Sequence, residues 1–470
     1  FDYQNPSLAG AGFFCFFIPQ MTRTWIKHPL GIFADNADGG IVVEGHKISH
    51  LVSAGKTPSP PYQVFDASKH VVLPGLINTH HHFYQTLTRA IKPALGKELF
   101  DWLKTLYPIW SKLDPDLLEV ATELALTELL LSGCTTASDH HYLYPNGLEH
   151  AVDMQAEVAC RTGIRATLTR GSMDLSQKDG GLPPDSVVQK TEAILLDSER
   201  VISRYHQSHS GAMIQIGLAP CSPFSVSHTL MKESAVLAMQ KGVRLHTHLG
   251  ETLDENNYCM QKHRMRPLDY LETCGWLTAN TWLAHGIHFT QDEISRLGKA
   301  KTAIAHCPHS NMTLASGICP VCSLQSAGSA VGLGVDGSAS NDASNLIEEV
   351  RASMMLQRLQ EGAAHFSHLD ALKLATEGSA HCLGRDDIGV IAEGKQADLA
   401  LFKLDELRHS GFHDPLAALI QCGASRADCV MIGGEWRVTE GKIQGLDEAD
   451  LVRRHSDAAK TLRQRAGLEG

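Results

Sequence analysis

Between residues 71 and 335 the chain alternates short, unbroken apolar runs with longer stretches whose apolar positions recur every three or four residues. Unbroken runs of this length bounded by turn residues read as strands buried on both faces, and the three-to-four spacing reads as helix. The predicted strands are 71–79, 134–139, 164–169, 214–219, 243–248, 281–285, 302–306 and 330–335. The clearest helix opens at Asp114-Pro115, carries Leu117, Leu118, Ala121, Leu124 and Leu129 on its apolar positions, and stops at Ser132-Gly133, directly before the second strand. Asp and Pro start helices and Gly ends them, so its limits are set by local chemistry.

Eight strands, each separated from the next by enough chain for a helix, predict a parallel sheet, and the count fits a (β/α)8, TIM-like barrel. An open doubly wound sheet fits less well, because neither a GxGxxG nor a Walker loop is present. The flanks have a different texture. Residues 21–75 and 386–445 are short β-rich runs broken by glycine turns, with the clearest hairpin at 40–48. They predict one small β-sandwich domain built from both chain ends around a barrel at 76–385. The charged stretch 446–470 predicts a C-terminal helix packed outside. Residues 1–20 carry the apolar patch Phe13-Phe14-Cys15-Phe16-Phe17-Ile18, unlike anything after Met21, and read as a non-native or disordered leader. They have neither the basic start of a signal peptide nor a span of about 20 apolar residues.

Composition narrows the partners. The chain has 470 residues, 43% apolar and 20% charged, with a net charge of −11. No basic run or aromatic-basic stripe interrupts that acidity, which argues against nucleic acid and anionic membranes and for a small-molecule partner. Twelve cysteines without a repeating framework fit reduced thiols in a cytoplasmic protein. Cys319 and Cys322 form a lone CxxC; with no second pair at zinc-ribbon spacing, they read as two free thiols in a loop.

Barrel enzymes keep their chemistry at the carboxyl ends of the strands. His80 and His82, at i and i+2, share one face of an extended chain there, and alternation turns His81 away. The fifth strand ends at His246-Thr247-His248 with Glu251 three residues on, the sixth at His285, and the eighth reaches Asp336. Any one of these could be a satisfied core or capping residue. Together His80, His82, His248 and Asp336 make a nitrogen-oxygen ligand set for a zinc-like divalent ion with a position left for water. Lowering the pKa of water from about 15.7 to about 7 makes roughly 12 kcal/mol of difference to hydroxide at neutral pH. Glu251 is then free to shuttle protons and His285 to orient water or stabilise negative charge. Asp139, His140 and His141 close the second strand and read as loop residues, with a place at the pocket mouth as the alternative. His306 and Asn311 read as shaping the loop below Asp336.

Taken in order, the HxH after Pro74-Gly75-Leu76-Ile77-Asn78-Thr79, His248-x-x-Glu251, Ala284-His285-Gly286, the run 306–311 (His-Cys-Pro-His-Ser-Asn) and Asp336 resemble the amidohydrolase superfamily, from about Met21 to about Gly445. The resemblance is closest to its mononuclear deaminase branch, which includes guanine deaminases, adenosine-type deaminases and chlorotriazine hydrolases. It implies one Zn2+ per chain, or Fe2+, on His80, His82, His248 and Asp336. It also implies Glu251 as proton shuttle, His285 assisting the hydroxide, Asp336 as both ligand and base, and a homo-oligomer. No carboxylated-lysine bridge is implied, since Ala219-Pro220-Cys221-Ser222-Pro223 at the fourth strand end has no lysine.

For the substrate, Gln85 stands where guanine deaminases place a glutamine against the purine edge; the alternative is a solvent-facing glutamine at a helix start. Trp102 matches a family tryptophan that walls the pocket, and equally suits a core position. In place of the Arg-Phe pair of guanine deaminases the chain has Cys221-Ser222-Pro223-Phe224. With the segment 169–174, which includes Arg170, it resembles bacterial members acting on 8-oxoguanine. Cys221 would make room for, or hydrogen-bond, a C8 oxygen, and Arg170 would meet an anionic oxopurine. The implied reaction is 8-oxoguanine plus water to urate plus ammonia. Guanine, isocytosine-like rings and hydroxytriazines are the alternative substrates, and a non-catalytic amidohydrolase-like binding protein is the remote alternative.

Overall fold

The computed structural model describes residues 23–468, so the reading of residues 1–20 lies outside the described residues. Eight parallel strands follow one another around the sheet in chain order. They are β1 (Leu76–Asn78), β2 (Cys134–His141), β3 (Arg165–Ser172), β4 (Ile214–Pro220), β5 (Leu245–Leu249), β6 (Thr281–His285), β7 (Ala303–His306) and β8 (Val331–Leu333). All eight expected strands are present. The barrel closes between first and last: Thr79 N donates to Leu333 O at 2.9 Å, and beyond the strand ends Asp336 N donates to His80 O at 3.0 Å. The helix Pro115–Leu131 forms as expected, with Asp114 Oδ1 accepting from Leu117 N at 2.9 Å.

The expected first strand divides in two. His70–Pro74 pairs antiparallel with Leu399–Lys403 outside the barrel, and only Leu76–Asn78 belongs to the barrel. The chain turns at Gly75, where a Cβ would lie 2.1 Å from Thr135 Oγ1 and the amide donates to Asp398 O at 2.8 Å. No side chain fits that crossing, so two apolar runs that read as one continuous strand lie in different sheets.

Both chain ends do contribute to a second layer. Arg23–Lys27, Gly40–Glu44, Lys47–Val52 and Gln63–Asp66 form a four-stranded sheet. Gly31–Ile32 and His70–Pro74 join four strands from 399–443 in a six-stranded one. Ile26, Ile41, Val43 and Ile48 of the first pack with Val72, Leu399, Leu401 and Met431 of the second in one apolar core, which makes the pair a sandwich. The helix Glu448–Arg465 lies on the outside of Pro115–Leu131, tied by Arg454–Glu123 at 2.9 Å and Arg465–Asp114 at 2.6 Å. Cys319 and Cys322 are free thiols, as are eight other cysteines. Among the described residues, no helix is long and apolar enough to cross a membrane.

A candidate metal centre at the barrel mouth

His80 and His82 follow β1 in extended chain, His248 lies on β5, and Asp336 follows β8; one donor atom from each lies within 4.8 Å of all the others. His82 Nε2 is 3.2 Å from His248 Nε2, and Asp336 Oδ1 is 3.2 Å from both His80 Nε2 and His82 Nε2. Tetrahedral ligands about 2.0–2.1 Å from zinc are separated by roughly 3.3 Å, so the spacing suits one small divalent cation.

The protons around the cluster make the stronger test. His246 Nδ1 donates to Trp282 O at 2.8 Å, leaving His246 Nε2 to accept from His80 Nδ1 at 2.8 Å. His82 Nδ1 donates to His140 O and His248 Nδ1 to Cys221 O, each at 2.7 Å. A neutral imidazole carries one proton, so each of the three rings turns a bare Nε2 lone pair to the centre. Burial holds His80 and His248 well below the ordinary histidine pKa, which keeps them neutral. His80 Nε2 is buried without a hydrogen-bond partner. Three lone pairs and a carboxylate converge with no proton between them, an arrangement that repels itself until a cation enters.

Asp336 is set by its backbone and its neighbours. Its φ is +61° and that of His285 is +72°, both left-handed in residues other than glycine. Such strain costs on the order of 1–3 kcal/mol per residue and persists where surrounding contacts over-determine the backbone. Gly337 N donates to Asp336 Oδ1 at 2.8 Å, and Ser310 Oγ donates to Oδ2 at 2.6 Å. Burial alone would raise the Asp336 carboxyl, yet the group is held well below the usual carboxylate range. Glu251 moves the other way: burial, with Asp336 adding to it, pushes its carboxyl well above the ordinary value. Its Oε2 is 3.5 Å from His285 Nε2, which is 3.8 Å from Asp336 Oδ2. His285 Nδ1 donates to Asn311 Oδ1 at 2.9 Å, which turns its Nε2 toward the two carboxylates.

These groups open on a small cavity with apolar walls at Leu99, Leu103 and Leu314.

Residues 71–437 match the amidohydrolase family. The chain is 61% identical to 8-oxoguanine deaminase of Pseudomonas aeruginosa over 94% of its own length and 99% of that protein's. It is 37% identical to hydroxydechloroatrazine ethylaminohydrolase of Pseudomonas sp. (strain ADP), covering 88% of each. Among solved structures it resembles atrazine chlorohydrolase from Arthrobacter aurescens TC1 complexed with zinc, with a TM-score of 0.86, 30% identity, and coverage of 93% of this chain and 100% of that one. The chain belongs to the amidohydrolase family.

The amidohydrolase cavity brings together most of the residues singled out from the sequence. Gln85, Trp102 and Cys221 line it with His82, His248, Glu251, His285 and Asp336. Gln85 is buried in the turn Phe83–Thr88 and its Oε1 accepts from Ala339 N at 3.4 Å, so the solvent-facing alternative does not hold. Trp102 Nε1 donates to Ala339 O at 3.3 Å.

Arg170 does not join them. Its Nε pairs with Asp197 at 2.6 Å, Nη1 donates to Gly171 O, Nη2 donates to Gln189, and its plane lies 3.8 Å over the Tyr144 ring. It faces the helix Thr191–Tyr205 outside the strands, and the expected contact with an anionic substrate is not made. The reading of Asp139, His140 and His141 as loop residues is also corrected. All three are buried within β2. The His140 ring stacks on His248 with centroids 4.7 Å apart, and Asp139 accepts from Phe83 N at 2.7 Å.

Three contributors escape the sequence pattern: Ser310, the backing ring of His246, and Tyr142 on the cavity wall. Asn311, expected only to shape a loop, orients His285. The positions of Ser310 and Asn311 directly after His309 were the available signal; which side chains they meet depends on how β6, β7 and β8 sit side by side.

Proposed function

We propose that this protein is a zinc-dependent hydrolytic deaminase of an oxidised aminopurine, converting 8-oxoguanine and water to urate and ammonia. The observation that carries this reading is the 61% identity to 8-oxoguanine deaminase of Pseudomonas aeruginosa along nearly the whole of both chains. The complete donor set His80, His82, His248 and Asp336 argues against a non-catalytic binding protein. Bound there, a divalent cation supplies the Lewis acidity that makes water nucleophilic at neutral pH.

The chain's own groups handle the protons. As the water oxygen bonds to C2, Glu251 takes one of its protons and delivers it to the adjacent ring nitrogen. Burial raises the Glu251 carboxyl above its ordinary value, which favours its holding the proton between the two transfers. His285, fixed by Asn311, holds the oxygen on the side of the two carboxylates. Asp336 takes the second proton and passes it to the amino group, so the C2–N bond breaks with ammonia as leaving group and C2 keeps the oxygen as a carbonyl. Ser310 holds Asp336 Oδ2 during that transfer. Gln85 reads the amide-like edge of the ring, since its own amide donates and accepts. Trp102 and Phe224 form apolar wall, and Cys221 faces the five-membered ring and its C8 oxygen.

The zinc-loaded protein tests the reading directly. Urate absorbance and released ammonia should rise together when 8-oxoguanine is supplied, with one zinc per chain. Faster turnover of guanine, an isocytosine-like ring or a hydroxytriazine would reassign the substrate. The 37% identity to hydroxydechloroatrazine ethylaminohydrolase makes hydroxytriazines the second reading.

A further inference from the structure

Glu349 lies on the helix Leu346–Glu361, outside the cavity lining, with no exposed surface. An uncompensated buried carboxylate costs several kcal/mol, so its partners identify what it holds in place. Oε1 accepts from His309 Nδ1 at 2.6 Å and from Asn341 Nδ2 at 2.7 Å, and Oε2 accepts from His309 N at 3.1 Å. Asn341 Nδ2 also donates to Val335 O at 2.8 Å. One carboxylate therefore joins the segment after β7 to the segment after β8.

The residues next to those two partners reach the site. Ser310, adjacent to His309, has its Oγ 2.6 Å from Asp336 Oδ2 and 2.9 Å from the Oγ of Ser340, which is adjacent to Asn341. Asn311, one residue further, accepts from His285 Nδ1 at 2.9 Å. We infer that Glu349 is a positioning residue: by clamping His309 and Asn341 it fixes Ser310 on Asp336 and Asn311 on His285. The His309 arm ends on Asp336 and His285, whereas the Asn341 arm runs beside Ala339, whose backbone meets Gln85 and Trp102. Loss of the His309 arm alone thus disturbs proton transfer while substrate binding persists. The inference rests on the proposed roles of Asp336 and His285.

Glu349→Gln and His309→Ala, each zinc-loaded, test it with the double variant. His309 is about one-third exposed, so its removal leaves the buried helix face intact and keeps the test available if Glu349→Gln does not fold. Each single variant should lower kcat for 8-oxoguanine by about tenfold to a hundredfold, the scale of a small misplacement of reacting groups, and in His309→Ala, which leaves the Asn341 arm in place, KM should stay within about twofold. The double variant should fall no further than the worse single one, because both remove the same clamp. Amide exchange of residues 308–313 should accelerate in Glu349→Gln while the β strands stay protected, a readout independent of the substrate. Unchanged kcat in folded single variants, parallel change of kcat and KM in His309→Ala, loss of zinc, additive losses, or unaltered exchange would each overturn the clamp. Wild-type protein that forms no urate would instead refute the proposed function, and the exchange result would still decide the clamp.

Discussion

The amide of Asp336 donates to the carbonyl of His80 at 3.0 Å. This one hydrogen bond extends the closure of the barrel from first strand to last and fixes the approach of two metal-capable side chains. The site is therefore a product of closure, and the strained backbone of Asp336, φ +61°, is held by it. His80→Ala and Asp336→Ala should both abolish zinc retention, read by metal analysis after dialysis.

His81, one residue along, predicts a contrast. Its ring is buried outside the donor cluster, and its Nδ1 accepts from His82 N at 2.8 Å. His81→Ala should keep one zinc per chain yet lose on the order of 2–4 kcal/mol of stability, as cavities left by large buried side chains do. Metal analysis and denaturant unfolding of the same sample separate the two effects; zinc loss matching that of His80→Ala would contradict it.

Glu251→Gln should bind zinc normally and turn over hardly at all. The amide keeps the shape of the side chain and cannot carry a proton from water to ring, a contribution of about 10² to 10⁴ in rate. Initial rates of urate formation by metal-verified protein measure it. Wild-type-like turnover would remove Glu251 from the mechanism.

Gly337→Ala isolates the role of Gln85. A Cβ at 337 would lie 1.9 Å from Gln85 Oε1, and the far end of that side chain is what can move. The variant should fold and hold zinc, while KM for 8-oxoguanine rises by about tenfold or more, corresponding to at least roughly 1.4 kcal/mol of lost binding. An unchanged KM would show that Gln85 does not touch the substrate.

Apolar run length and terminal polar residues revealed the eight strands, and the donor set at their ends came with them, because a strand end is a local feature. The break at Gly75 was not legible as a break, since apolar residues continue on both sides and only the clash with Thr135 requires the turn. Arg170 stood at a strand end like the true cavity residues. Its direction depends on the face it takes in β3, and Asp197, 27 residues away, holds it on the outer one. His140 and Ser310 failed for the opposite reason: their neighbours come from other strands, which no spacing along one strand specifies.

Glu255 gives a pH-dependent prediction. Its Oε1 accepts from Gly250 N at 3.2 Å and its Oε2 from Glu251 N at 2.9 Å, so it grips the turn that carries Glu251. Burial pushes its carboxyl up to about 7 from an ordinary 4.5, against the opposing pull of those two amides. Between these values the folded chain holds a proton that the unfolded chain has released. The stabilisation is complete below about pH 4.5 and is lost as pH rises through about 7. At about 1.4 kcal/mol per pKa unit the swing is at most on the order of 3 kcal/mol. Glu255→Gln cannot titrate and lacks this slope. Unfolding of the zinc-loaded proteins between about pH 5 and about pH 8 should therefore show the variant gaining on the wild type as pH rises. Parallel curves across that range would mean that Glu255 keeps an ordinary carboxylate pKa in the folded chain.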